Sequence, residues 1–307
     1  MHVTPVAVRK KTAVRRKKKT AYEILEPWLF LLPALLVFGV FLYFPFFKTV
    51  YLSTFLTNKF GQPKVFYGFQ NYIDIIAGKY SGEFWNSIWV TVRFVFFVAT
   101  GGLLVGLCTS LITAKKFPGR AIASAIFAMP IAIASSAAAM SFKMMLHQSI
   151  GLLNHVLGTN INWLSDTYWT FPIICILSVW LASGINFIFI GAGLRNIPDE
   201  LYESASIDGA NYWDKLVHVT MPCLSPTLFF QIIINIINAF QSFTLVKLLT
   251  QGGPNSQTNL IVYSIYLDAF RNFRFGSAAA RSIVLFLVIM VITLIQFSTE
   301  KRSVNYS

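Results

Sequence analysis

The sequence predicts an all-α integral membrane protein with six transmembrane helices. Hydrophobic residues make up 55% of the 307-residue chain and charged residues only 12%, about half the charged share of soluble domains. The mean hydropathy is +0.62. Six apolar runs are each long enough to cross a hydrocarbon core, which takes roughly 20 helical residues.

The elements follow in order. Residues 1–26 form a basic tail whose run VRKKTAVRRKKKT supplies much of the net charge of +13. Directly ahead of a membrane span, such a run reads as a solvated topogenic tail that touches anionic lipid, and no nucleic-acid partner is expected. A cleaved signal peptide is not expected either, because the apolar run is too long and no small-residue cleavage site follows it. Spans are expected near Trp28–Val50, Ile88–Ile112, Ala121–Met145, Pro172–Leu194, Leu224–Leu249 and Ala279–Phe297. The third is rich in Ala and Ser, which lowers its hydropathy but lets transmembrane helices approach closely. Pro33, Pro45, Pro130 and Pro172 are expected to kink or start spans. The six-span body therefore covers residues 27–300, and 301–307 is a short tail.

Orientation follows from Lys and Arg. Fifteen lie in the first tail, the 114–120 turn, the 195–220 loop and the last tail; the opposite loops hold five. Both termini and the 195–220 loop are thus expected in the cytoplasm, in a multi-pass protein of the cell membrane. Cys108, Cys175 and Cys223 are an odd number, two within spans, and read as small buried apolar residues. The four histidines have no metal-ligand spacing in a common helix, and no nucleotide-binding loop is present. If ATP drives this protein, another chain must bind it.

One segment does not fit a simple loop. A turn between spans needs about four to six residues, yet residues 195–226 hold five of the twelve carboxylates: Asp199, Glu200, Glu203, Asp208 and Asp214. Pro198 suits the first turn of a helix, and the acids behind it suit the positive end of the helix dipole. Asp208-Gly209 breaks that helix. A second short helix is expected near Asn211–Val217, and Met221-Pro222 and Pro226 begin the fifth span. Pattern alone leaves two readings: a docking bracket carried on a membrane helix, or an amphipathic segment lying in the membrane interface.

Glu203-Ser204-Ala205, Gly209-Ala210 and Met221-Pro222 resemble the coupling loop, or EAA loop, of membrane subunits of ATP-binding-cassette importers. The longer form in sugar-type permeases, I-P-x-E-L-Y-E-A-A-x-I-D-G-A, is similar to Ile197–Ala210 almost throughout, with Ser204 replacing the first alanine. Leu249-Thr250-Gln251-Gly252-Gly253-Pro254, Thr258 and Tyr263-Ser264-Ile265-Tyr266 resemble the stretch after the fifth span of the same permeases. Gly276–Ala280 and the Gln296–Tyr306 ending look most like the first permease of glycerol-3-phosphate importers. The resemblance implies a type I ABC importer permease fold with cytoplasmic coupling helices. It assigns the coupling loop, residues 195–222, to Glu203, Ser204, Ala205, Asp208, Gly209, Ala210 and Pro222. It also implies a second homologous permease, two ATPase subunits or domains carrying ATP and Mg, an extracytoplasmic solute-binding protein, and no cofactor or catalytic residue on this chain.

For the solute, the fifth span offers Gln231, Asn235, Asn238 and Ser242 at steps of four, three and four, within a ~60° stripe of an unbroken helix. Amides and hydroxyls suit the hydroxyls of a sugar or glycerol. Asn186 in the fourth span is expected to face the same pathway. The competing reading is an interhelical hydrogen-bonded seam. Lys143, Lys247 and Arg281 are candidate phosphate partners, against snorkelling to the interface. The expected solute is a sugar or polyol phosphate, with glycerol-3-phosphate the specific choice. A secondary transporter or channel for a small polar solute is the alternative, but a secondary transporter would want deep carboxylates for its coupling ion, and no Asp or Glu lies well inside a predicted span.

Overall fold

The computed structural model describes residues 21–303 apart from Lys116, with side chains from 26 to 299. The basic tail up to Thr20 and residues 304–307 lie outside the described residues. Helix α1 (Ala21–Phe38) continues through a π turn (Gly39–Tyr43) into α2 (Phe44–Ser53). Pro45 has no N–H to give the carbonyl one turn earlier, and the wider turn accommodates that loss. Its apolar side chains from Trp28 to Phe47 are largely exposed, as befits a helix whose solvent is lipid. Residues to Lys48 form one packing unit and Thr49–Ser307 another.

The second unit begins with a small antiparallel hairpin, β1 (Phe55–Thr57) and β2 (Pro63–Phe66), in which Phe55 faces Phe66. It is the one sheet among the described residues. Then come α3 (Gln70–Ile76), α4 (Ser81–Ala114), α5 (Arg120–Ala132), α6 (Ser135–Met145), α7 (Leu152–Leu157) and α8 (Thr170–Arg195). The chain continues with α9 (Asp199–Ile207), α10 (Tyr212–Lys215), α11 (Met221–Phe240), α12 (Ile261–Tyr266) and α13 (Phe275–Ser303).

Helix α8 packs against α4, α5 and α11. Small residues make its closest contact possible: a Cβ on Gly106 of α4 would lie 2.4 Å from the Asn186 Cβ of α8. The helices therefore meet almost backbone to backbone, which favours association where hydrophobicity gives no drive. The main core gathers Phe84, Phe94 and Val98 of α4, Ile174 and Leu177 of α8, Phe240 of α11, and Leu285 of α13.

Five helices are long and apolar enough to cross a membrane, and a bent pair makes a sixth crossing if counted as one span. The expected third span, Ala121–Met145, is that pair: α5 and α6 meet at 104°. Ile133 and Ala134 are extended between them, and Pro130 removes a helical N–H from the turn before the break. Neither piece, with 13 and 11 residues, spans about 30 Å alone.

The expected fifth span, Leu224–Leu249, also changes. One helix runs from Tyr212 to Phe240, passing through a π turn at Leu216–Thr220, and then stops. Gln241–Phe243 are non-helical, and a short π segment, Val246–Thr250, completes the run. The short helix expected near Asn211–Val217 is therefore not a separate piece; it is the first turn of the long helix. Beyond it, Gln251 and Gly252 take positive φ and reverse the chain, as the Gly-Gly-Pro pattern predicts. Thr91 of α4 anchors the return, its Oγ1 accepting from Ile261 N at 2.8 Å.

Candidate functional site

The coupling segment is built by local capping. Pro198, expected in the first turn of a helix, is the N-cap of α9, with extended ψ of 135°. Its carbonyl accepts from Leu201 N at 3.3 Å. At the other end Gly209 takes φ of +80°, which only glycine adopts without steric cost. Ala210 N donates to Ala205 O at 2.9 Å and Gly209 N to Ser206 O at 3.1 Å, the paired bonds of a Schellman cap. Asn211 then opens α10 with a capping box: its Oδ1 accepts from Trp213 N and Asp214 N, while Asp214 Oδ2 accepts from Asn211 N at 3.0 Å. Two caps back to back fix the reversal.

Two side-chain bonds tie the halves together. Tyr202 of α9 and Thr220 in the π turn share a hydroxyl–hydroxyl bond of 3.0 Å. Lys215 Nζ donates to Ser206 Oγ at 2.7 Å. Glu203, Ser204, Asp208 and Gly209 are exposed, Ala205, Ala210 and Pro222 half-buried. The outer surface also presents Leu201, Ile207, Tyr212 and Trp213, with Ile207 87% exposed. An apolar patch set among carboxylates is suited to a protein partner.

Three of the five proposed pathway residues come together in the bundle. Asn186 of α8 and Asn235 of α11 exchange amide bonds of 3.0 Å in both directions. Gln231 Nε2 reaches Asn186 Oδ1 at 3.4 Å, and Asn235 Nδ2 reaches Ala99 O of α4 at 3.4 Å. All three amides are buried, and Gln231 Oε1 has no hydrogen-bond partner. Asn238 is exposed, and Ser242 lies beyond the helix end, half-buried. The four-residue stripe is thus divided: Gln231 and Asn235 join three helices, and Asn238 and Ser242 stand apart near the break.

The basic candidates differ as well. Lys143 is exposed. Lys247 Nζ sits over the rings of Tyr266 and Phe243, at 4.6 and 5.2 Å. Arg281 is 1% exposed and its Nε lies 2.9 Å from Asp268 Oδ2, an ion pair off the hydrogen-bond line. Asp268 also pairs with Arg274 and accepts from Ser277 Oγ at 3.0 Å and Asn272 Nδ2 at 3.1 Å. Glu83 at the start of α4 stands 3.7 Å from Arg281. This buried charge cluster escaped the sequence reading. The available signal was Ser277 and Arg281, one turn apart, on an otherwise apolar helix.

A sequence profile for the family described as "Binding-protein-dependent transport system inner membrane component" matches residues 12–303. A probable ABC transporter permease protein of Brucella suis biovar 1 is 31% identical over 283 residues, covering 90% of this chain and 97% of that protein. The sn-glycerol-3-phosphate transport system permease protein UgpA of Agrobacterium fabrum is 32% identical over 286 residues, with coverage of 91% and 96%. Among solved structures, a bacterial alginate ABC transporter in complex with alginate pentasaccharide-bound periplasmic protein has a chain that superposes with TM-score 0.80. Its identity is 23%, over 92% of this chain and 97% of that one. A chain from an amino acid ABC transporter superposes at 0.52 over 73% of this chain.

Proposed function

Since this chain belongs to the family of binding-protein-dependent transport system inner membrane components, and has the type I ABC importer permease fold, we propose that it is one of two permease subunits in an ATP-driven importer. The observation that carries this reading is the doubly capped coupling segment joined without a break to a membrane helix. A rigid bracket of that kind can take up motion from a cytoplasmic ATPase and pass it to the bundle.

In this reading both termini and the 195–222 segment face the cytoplasm. Two ATPase subunits bind ATP and Mg, an extracytoplasmic binding protein delivers the solute, and this chain contributes no catalytic group. ATP draws the ATPases together, the bracket moves with them, and the cavity opens toward the binding protein; hydrolysis resets it. The two orientations must lie close in free energy for nucleotide and ligand to shift their populations.

The solute is a sugar or polyol phosphate. The 32% identity with an sn-glycerol-3-phosphate permease protein supports glycerol-3-phosphate. The pathway passes the fifth helix near its break, where Asn238 and Ser242 are not engaged in the buried amide cluster and Gln241 is exposed. The test is uptake of labelled glycerol-3-phosphate into proteoliposomes holding the complex encoded with this chain, with ATP inside and binding protein outside. ATP-dependent uptake competed by unlabelled glycerol-3-phosphate and not by maltose is the expected result. No uptake of labelled glycerol-3-phosphate where labelled maltose is taken up would replace this solute with a neutral sugar, and no ATP dependence would remove the importer reading.

A further inference from the structure

We propose that the cavity between the ends of α4 and α8, the first turn of α5 and the start of α10 is a binding site for a phosphate group. It is a site separate from the solute pathway and independent of which solute is carried. The cavity has a volume of about 570 Å3 and lies beside the coupling segment. Lys115, Arg120, Arg195 and Lys215 line it, against a single carboxylate, Asp199. Among the described residues none of these four cations is in an ion pair.

Their heads are not simply spread into solvent. Arg195 folds back along α8: its Nη1 lies 3.9 Å from where a Cβ on Gly191 would stand, and the buried Ser110 Oγ lies 3.8 Å from that same point. Lys115 Nζ rests 4.2 Å from the centre of the Tyr212 ring, and Lys215 is held by Ser206. Arg120 is the first residue of α5, and Ser124 one turn on also lines the cavity. Gly119 gives that helix no side-chain cap, and its positive end lies beside the cavity at Arg120.

Guanidinium and ammonium groups gathered in the lining of one cavity match the oxygens of a phosphate through charge-assisted bonds. The wall behind them is apolar, including Phe187 and Leu194. Such a site can take the phosphodiester of an anionic lipid, with its chain against the apolar wall, or a free phosphate. Either one would bridge four elements and hold the bracket against the spans.

The full chain, extracted in mild detergent with the subunits that accompany it, allows both sources to be tested. Native mass spectrometry reads retention of phosphatidylglycerol; after delipidation, calorimetry reads binding of inorganic phosphate. Saturable binding of either one supports the proposal and identifies the source. The double variant Lys115→Gln/Arg120→Gln should weaken it by about tenfold or more, the scale of lost charged hydrogen bonds. Ser124→Glu, which places a carboxylate among the cations without removing any, should weaken it in the same direction and covers the case of a double variant that fails to fold. The proposal falls if the wild-type chain binds neither ligand saturably, or if folded variants bind as well as wild type.

Discussion

Gly209 and Glu203 separate two contributions to the coupling segment. Gly209 supplies a backbone angle of +80° that proline, fixed near −65°, cannot adopt. Gly209→Pro should abolish substrate-stimulated ATP hydrolysis in the assembled complex while membrane insertion stays normal. Glu203→Lys alters only an exposed charge and should do the same by spoiling the docking surface; normal coupling in both variants would sink the docking reading. In the amide cluster, Asn186→Leu strands Asn235 and should cost about 1–3 kcal/mol of stability, read as a lower melting temperature in detergent. Adding Asn235→Leu should recover part of that loss. The helix stop at Asp208-Gly209 was legible in the sequence because caps and turns are local. Asp268 and Arg281 were not, because they meet across a π segment and a chain reversal that no periodicity encodes.

The same contrast governs whole elements. Hydropathy finds apolar runs, so the spans of α4, α8 and α13 were legible. It does not see direction: the 104° bend after Ala132 and the stop after Phe240 fall inside stretches that hydropathy reads as single spans. The helical wheel that united Gln231, Asn235, Asn238 and Ser242 assumed an unbroken helix, and Ser242 falls outside it. At the start of the same helix the error was opposite, since Met221-Pro222 reads as a beginning although α10 runs straight into α11. That continuity can be tested at Val217, which is 54% exposed and so can change without disturbing the core. Val217→Pro should break the helix, at about 3 kcal/mol, and leave ATP hydrolysis in proteoliposomes uncoupled from uptake. Uptake at the wild-type rate would show that force does not travel along this helix.

At the scale of the molecule, the buried charges of Asp268 and Arg281, with the half-buried Arg274, join the 267–274 segment to α13, with Glu83 of α4 alongside. Asp268→Asn leaves the buried Arg281 with only the more exposed Glu83 as counter-charge and should destabilise the chain by about 3 kcal/mol. Asp268→Asn with Arg281→Met should be milder, measured by thermal melting of the complex. The pairing engages Asp268 and Arg281 with each other within the bundle. The remaining consequence is one of leverage. The helix from Tyr212 to Phe240 has 29 residues and is about 43 Å long. A tilt of only about 5° imposed at its first turn would sweep its far end through roughly 4 Å. That far end is the break at Gln241–Phe243, where Gln241 N and Ser242 N make the last bonds back to the helix, to Ile237 O and Ala239 O, and the regular ladder ends. A displacement too small to disturb the bundle's packing thus becomes, at the break, about the width of a sugar hydroxyl's contact shell.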